Sequence, residues 1–169
     1  MLINPDLVFD SVRRGYNSLE QASNDEILSY FADIEPDAMI GHVNNVKGIL
    51  FEQVYVEQLA GQGIEAEVFE LTNHPGADIT LFEDGEAVTE LQMKATDSVS
   101  YINTTLNENP DIAIVATSEV ANDFNTDMVI DSGIENAVLE SSVLDVIADD
   151  VVNPISPISL LGMFFGLPF

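Results

Sequence analysis

The chain has 169 residues, of which 30 are Asp or Glu and only 4 are Lys or Arg, so its formal net charge is −26. The absence of Cys excludes disulfides and Cys-based zinc sites, and so few cations exclude the broad phosphate-binding face of a general DNA-binding protein in ordinary salt. A hydrophobic content of 46% is ample for a core, and the length suits one domain or one domain with appendages.

Residues 1–43 are predicted to form an N-terminal helical arm. Its first part, residues 1–22, is typical of an irregular segment or a short helix. The run Ser23-Asn24-Asp25-Glu26 then forms a capping box, with a hydroxyl at the first position and a carboxylate three residues later. Apolar residues follow at helical spacing, and we expect this helix to end before Pro36.

Residues 44–131 are predicted to form an α/β core, because helical and alternating patterns succeed one another along them. The predicted elements are a helix at about 45–60, strands at 65–71, 78–82 and 87–94, a helix at 98–108, and strands at 112–116 and 128–130. The Asp84-Gly85 pair is a strong turn signal, so the second and third strands should form a hairpin. Later strands reached through helical crossovers imply a mixed sheet flanked by helices.

A C-terminal helix is predicted over residues 132–152, introduced by a second capping box at Ser132 and Glu135. Residues 153–169 form an apolar tail, and its last twelve, 158–169, carry no charge. Such a tail is too short to span a bilayer as a helix. Three interpretations stay open: it docks on protein (its own domain, a partner or a second copy), it contacts a membrane, or it begins a longer apolar segment.

The residues that carry chemistry lie in the predicted hairpin. Side chains alternate along a strand, so Glu90, Gln92 and Lys94 share one face, while Leu91 and Met93 face a core. Asp78 begins the preceding strand. Oxygen ligands of this kind suit Mg²⁺ or Mn²⁺, with Asp78, Gln92 or Glu90 as ligands, and an ammonium such as that of Lys94 stabilises a phosphate in hydrolysis.

The order Asp78, Gln92, Lys94 resembles the PD-(D/E)XK nuclease superfamily, the restriction-endonuclease-like fold, in the variant with Gln before X-Lys. Ala77 stands where the namesake Pro would be. The resemblance implies a core of helix, three-stranded hairpin sheet, helix and strand. It also implies that Glu52, on the helix before the hairpin, is a further metal ligand and belongs to the catalytic set with the other three.

The charge of the chain leaves three interpretations open. The first is a salt-adapted host, since high salt screens the repulsion among acidic side chains. The second is a nuclease fold kept without cleavage, and the third is an acidic surface that binds a basic partner. No signal peptide is evident at the N-terminus, so a cytoplasmic protein is expected, with membrane association through residues 158–169 as the alternative.

Two functions therefore follow from the sequence. The first is a Mg²⁺- or Mn²⁺-dependent nuclease that hydrolyses phosphodiester bonds of a nucleic acid. The second is a non-catalytic assembly subunit on a nuclease-like scaffold, which would contact protein partners or form a homo-oligomer through residues 158–169.

Overall fold

The computed structural model describes residues 1–69 and 76–148, and within them the chain is a mixed α/β protein with six α-helices and a five-stranded sheet. A short 3-10 helix, Asn17–Leu19, follows the first α-helix. The elements in chain order are α1 (Pro5–Gly15), α2 (Asn24–Ala32), α3 (Pro36–Gly61), β1 (Glu65–Val68), β2 (Ile79–Glu83), β3 (Glu86–Lys94), α4 (Val99–Glu108), β4 (Ala113–Ala116), α5 (Ser118–Ala121), β5 (Val129–Asp131) and α6 (Asn136–Ile147).

The first capping box predicted from the sequence is confirmed at the start of α2. The Ser23 hydroxyl accepts the Glu26 N–H at 3.2 Å, and the Glu26 carboxylate accepts the Ser23 N–H at 2.7 Å. Both groups satisfy backbone donors that a helix start leaves without a partner.

The helix α3 begins earlier than the sequence analysis predicts. It runs without a break from Pro36 to Gly61, because a proline at the first helical position loses no hydrogen bond and already has a helical φ angle. The predicted boundary between residues 43 and 44 therefore falls inside α3.

The sheet has the order β1-β2-β3-β4-β5. β1, β2 and β3 pair antiparallel, whereas β3, β4 and β5 pair parallel. The predicted β2–β3 hairpin is confirmed: its turn residues Asp84 and Gly85 have φ angles of 52° and 80°. Two consecutive positive φ angles match the right-handed twist of the strands, and Asp-Gly adopts them at low cost.

The parallel strands are connected by helices that pack on one face of the sheet. A buried cluster joins side chains of α4, β4 and α5, namely Ile102, Ile114, Ala116, Val120 and Ala121. Because Gln92 pairs with Ile114 and Lys94 with Ala116 in the parallel register, the side chains of Gln92 and Lys94 lie on this same, α4-covered face.

The predicted capping box at Ser132 and Glu135 is wrong. Gly133 has a φ angle of 74°, which is not helical, so no helix begins directly after Ser132. The Ser132 hydroxyl accepts the N–H of Ile134 and not that of Glu135. The helix α6 begins only at Asn136. Its first N–H groups donate instead to the carboxylate of Glu119, which belongs to α5.

The chain divides into two compact units. One contains Met1 and Leu50–Val138, and thus the whole sheet. Within the described residues, the other contains Leu2–Ile49 and 139–148. The predicted apolar tail at 153–169, the end of the predicted C-terminal helix and the end of the predicted first strand lie outside the described residues. Among the helices of the described part, none is long and apolar enough to cross a membrane.

Candidate active site

Asp78 is held at the start of β2 by its backbone and by its side chain. Its N–H donates to the Leu91 carbonyl at 2.9 Å, and its carbonyl accepts the Phe69 N–H at 3.0 Å. The Asp78 Oδ2 atom accepts the Met93 N–H at 2.7 Å. The carboxylate thus lies beside the backbone of β3 at the residue between Gln92 and Lys94.

Gln92 is a buried polar residue, with 8% of its surface exposed. Its Oε1 atom is fully buried and has no hydrogen-bond partner within the described residues. A buried acceptor without a partner costs about 1–3 kcal/mol, and such an atom calls for an explanation such as a bound ion or a catalytic role. This orphaned oxygen, one residue from the peptide group that binds Asp78, is the feature that a cation would satisfy.

Lys94 ends β3 and is half-buried. Its Nζ atom lies 5.6 Å from the ring centroid of Tyr101, over the ring, in the first turn of α4. A cation at this distance from an aromatic face is attracted by the ring quadrupole, so Tyr101 restrains the ammonium at the C-terminal end of β3. Tyr101 was not among the residues predicted from the sequence. The one available signal was the predicted crossover, which brings the start of a helix back to the end of its preceding strand.

The other two predicted site residues are Glu90 and Glu52. Glu90 is exposed and pairs across the hairpin with Thr80. Glu52 is half-buried in the middle of α3. Within residues 1–69 and 76–148, no group of three or more His, Asp or Glu side chains is placed to hold a metal ion. Glu52, Asp78 and Glu90 are thus not such a group of three.

Two oxygen donors fit a cation here, the Asp78 carboxylate and the Gln92 amide oxygen. A carboxylate can accept several hydrogen bonds or metal contacts, so the single N–H of Met93 leaves Asp78 with spare capacity. Few protein ligands suit Mg²⁺, which usually keeps several waters and takes one or two carboxylates plus substrate phosphate. The donor set fits such a weakly held hard cation better than a closed structural site.

The electrostatic surroundings isolate Lys94. It is the only Lys or Arg in Leu50–Val138, so no second Lys or Arg of that range can share a phosphate with it. The ion pairs Arg13–Asp10 and Lys47–Glu140 belong to the other unit.

Comparison of the chain with protein-family models, with curated proteins and with solved structures finds no match.

Proposed function

We propose that the protein is a nuclease with a restriction-endonuclease-like core that hydrolyses phosphodiester bonds with Mg²⁺ or Mn²⁺. The observation that carries the proposal is the position of the Asp78 carboxylate, hydrogen-bonded to the Met93 N–H between Gln92 and Lys94. The order of helix, three strands, helix and strand in α3 to β4 agrees with that core.

Each residue has a separate role in the proposal. Asp78 and the orphaned Gln92 oxygen would hold the cation, which when bound supplies charge neutralisation and an acidified water. The Lys94 ammonium binds the phosphate and stabilises the negative charge that develops on it in the transition state. Glu52 is included on the resemblance alone, and its ligand role is tested by Glu52→Gln.

The test is cleavage of plasmid and of single-stranded DNA with Mg²⁺ or Mn²⁺, at ~0.1 M and ~1 M salt to vary electrostatic screening. Lys94→Ala and Asp78→Ala should each lower the rate by about a hundredfold or more. Glu86→Gln is the matched control, because Glu86 is an exposed acid at the far end of the same strand. Activity that survives both site substitutions places the chemistry elsewhere.

One observation favours a second function, a non-catalytic subunit that binds a protein partner or its own copies. The Asp78 carboxylate satisfies a backbone donor of β3, a structural role that needs no metal ion. A folded wild-type protein without cleavage under all the conditions above, together with self-association in sedimentation, would support this second function.

A further inference from the structure

The exposed face of α4 carries few charged side chains, although the net charge of the chain is −26. No charged residue lies between Asp97 and Glu108. Apart from Glu108, which ends the helix, its exposed hydrogen-bonding side chains are uncharged donors and acceptors, among them Ser100, Asn103, Thr104 and Asn107. This face begins where Lys94 meets Tyr101, so the only Lys or Arg of Leu50–Val138 adjoins a stretch, residues 98–107, that has no charged side chain.

Hydrogen bonds hold the backbone of Tyr101 in place, although the residue is exposed. Its N–H donates to the Ser98 hydroxyl at 3.2 Å, and its carbonyl accepts the Thr105 hydroxyl at 3.0 Å. The next residue, Ile102, is fully buried in the cluster beneath the helix. The residue nevertheless keeps 49% of its surface exposed. A Tyr side chain has only two rotatable torsions, so binding a planar partner on its ring costs little conformational entropy.

The surface around Lys94 and Tyr101 is poorly suited to binding double-stranded DNA. Affinity for double-stranded DNA comes mainly from many Lys and Arg contacts to phosphates, and this unit offers Lys94 alone. Bases of a single strand bind differently, because each can stack on an aromatic side chain without any positive charge. Tyr101 supplies the stacking surface, and Lys94 supplies one phosphate contact beside it.

We infer that Tyr101 and Lys94 form a nucleotide-binding subsite for single-stranded nucleic acid, in which a base stacks on the Tyr101 ring and the adjoining phosphate binds the Lys94 ammonium. The inference rests on the proposed nuclease function, since it names the substrate class of that site. Tyr101 is a specificity-determining residue in it, and the neutral face of α4 provides the path for the flanking strand.

The test measures binding to the full chain without divalent metal, by fluorescence anisotropy of labelled oligonucleotides at ~1 M KCl, where charge repulsion is screened to about 3 Å. The probes are a single-stranded DNA, the same sequence as RNA, and the DNA duplex. Tyr101→Leu should weaken single-strand binding by about 5- to 150-fold, whereas Tyr101→Phe, which keeps the ring, should bind as the wild type does. Val99→Ala is the matched control, an exposed apolar residue of the same helical turn, and should also bind normally.

A second measurement compares the tyrosine fluorescence of the wild type with that of Tyr101→Phe. The chain has no Trp and four Tyr, so stacking on Tyr101 should quench tyrosine emission, and Tyr101→Phe should remove that quenching. Comparing the affinities for the DNA and the RNA single strand shows whether the protein distinguishes deoxyribose from ribose. The inference is overturned if the wild type does not bind single strands or binds the duplex as tightly as the single strand. It is also overturned if Tyr101→Leu binds single strands with the affinity of the wild type. Cleavage is scored separately with Mn²⁺, so loss of cleavage with intact stacking refutes the proposed nuclease and not the subsite.

Discussion

The side chain of Asp78 accepts the backbone N–H of Met93 at 2.7 Å, so a single carboxylate satisfies a donor of β3 and adds charge next to Gln92 and Lys94. These two roles respond differently to substitution. The hydrogen bond needs only an acceptor, whereas a cation site needs the charge as well.

We therefore expect Asp78→Asn to separate stability from activity. An amide oxygen can still accept the Met93 N–H, so the free energy of unfolding should fall by less than about 1 kcal/mol, while the cleavage rate should fall about a hundredfold. Asp78→Ala leaves the N–H without an acceptor and should lower the unfolding free energy by about 1–3 kcal/mol. Urea unfolding and the cleavage assay measure the two effects. An Asp78→Asn variant that cleaves normally would show that the carboxylate is structural only.

The orphaned oxygen of Gln92 leads to a prediction on metal binding. Gln92→Leu replaces a buried acceptor without a partner by an apolar side chain, so in EDTA the free energy of unfolding should stay constant or rise. Mn²⁺ should stabilise the wild type by about 2.7 kcal/mol at a hundredfold excess over its dissociation constant but leave Gln92→Leu unchanged.

The control for Gln92 is Glu86→Gln, which removes a carboxylate from the opposite end of β3. It should keep the full response to Mn²⁺ in thermal unfolding. Equal stabilisation of the wild type and Gln92→Leu by Mn²⁺ would remove Gln92 from the proposed ligand set.

A third prediction concerns the start of α6, where the Glu119 carboxylate accepts the N–H groups of Asn136 at 2.7 Å and Ala137 at 2.9 Å. Glu119→Ala leaves two helix-start donors without a side-chain acceptor and should lower the free energy of unfolding by about 1–2 kcal/mol. Glu135→Ala, the capping residue that the sequence predicts, is exposed and should change it by less than about 0.5 kcal/mol. If urea unfolding showed a larger loss of stability for Glu135→Ala than for Glu119→Ala, the capping box predicted at Ser132 would be the correct assignment.

These cases show which features a sequence can predict. The Ser23–Glu26 capping box and the Asp84-Gly85 turn are encoded within four residues, and both are present as predicted. Glu119 instead caps a helix 17 residues away, and no local pattern distinguishes it from other acids in this chain.

In the candidate site, too, local features could be predicted from the sequence and tertiary contacts could not. Alternation along β3 places Gln92 and Lys94 on one face, as the sequence indicates. The cation–aromatic contact of Lys94 with Tyr101 depends on how α4 returns over the sheet, and tertiary packing of this kind has no local signature. Pro36 shows a third limit, because a proline suits both the end of one helix and the first position of the next.

Stability at high pH should depend on two tyrosines. Burial raises the pKa of Tyr16 and of Tyr55 above the ordinary value of 10.0. The folded protein therefore holds these protons to higher pH than the unfolded chain does, so their contribution is complete below about pH 10 and is lost as the pH rises through the folded-state pKa values. The free energy of unfolding should decline above about pH 10, and less steeply in Tyr16→Phe/Tyr55→Phe. Urea unfolding across this range, with absorbance of tyrosinate, measures the slopes; identical slopes would assign the decline to other groups.

The last prediction concerns the net charge of −26. Salt shortens the screening length from ~10 Å at 0.1 M to ~3 Å at 1 M, so the melting temperature should rise over this range in KCl as repulsion among acids weakens. One contributing pair is visible in the hairpin, where Glu83 and Glu86 stand directly opposite each other. Like charges in that position are destabilising by about 0.2–1 kcal/mol.

Glu86→Lys turns this repelling pair into an attractive one. It should raise the melting temperature at ~0.1 M KCl and reduce the further gain at ~1 M, since the added attraction is screened as the repulsion was. Sucrose, which strengthens burial without screening charge, should stabilise both proteins equally. A wild-type melting temperature that stays flat or falls with KCl contradicts salt adaptation, and a basic partner then becomes the better explanation of the acidic surface.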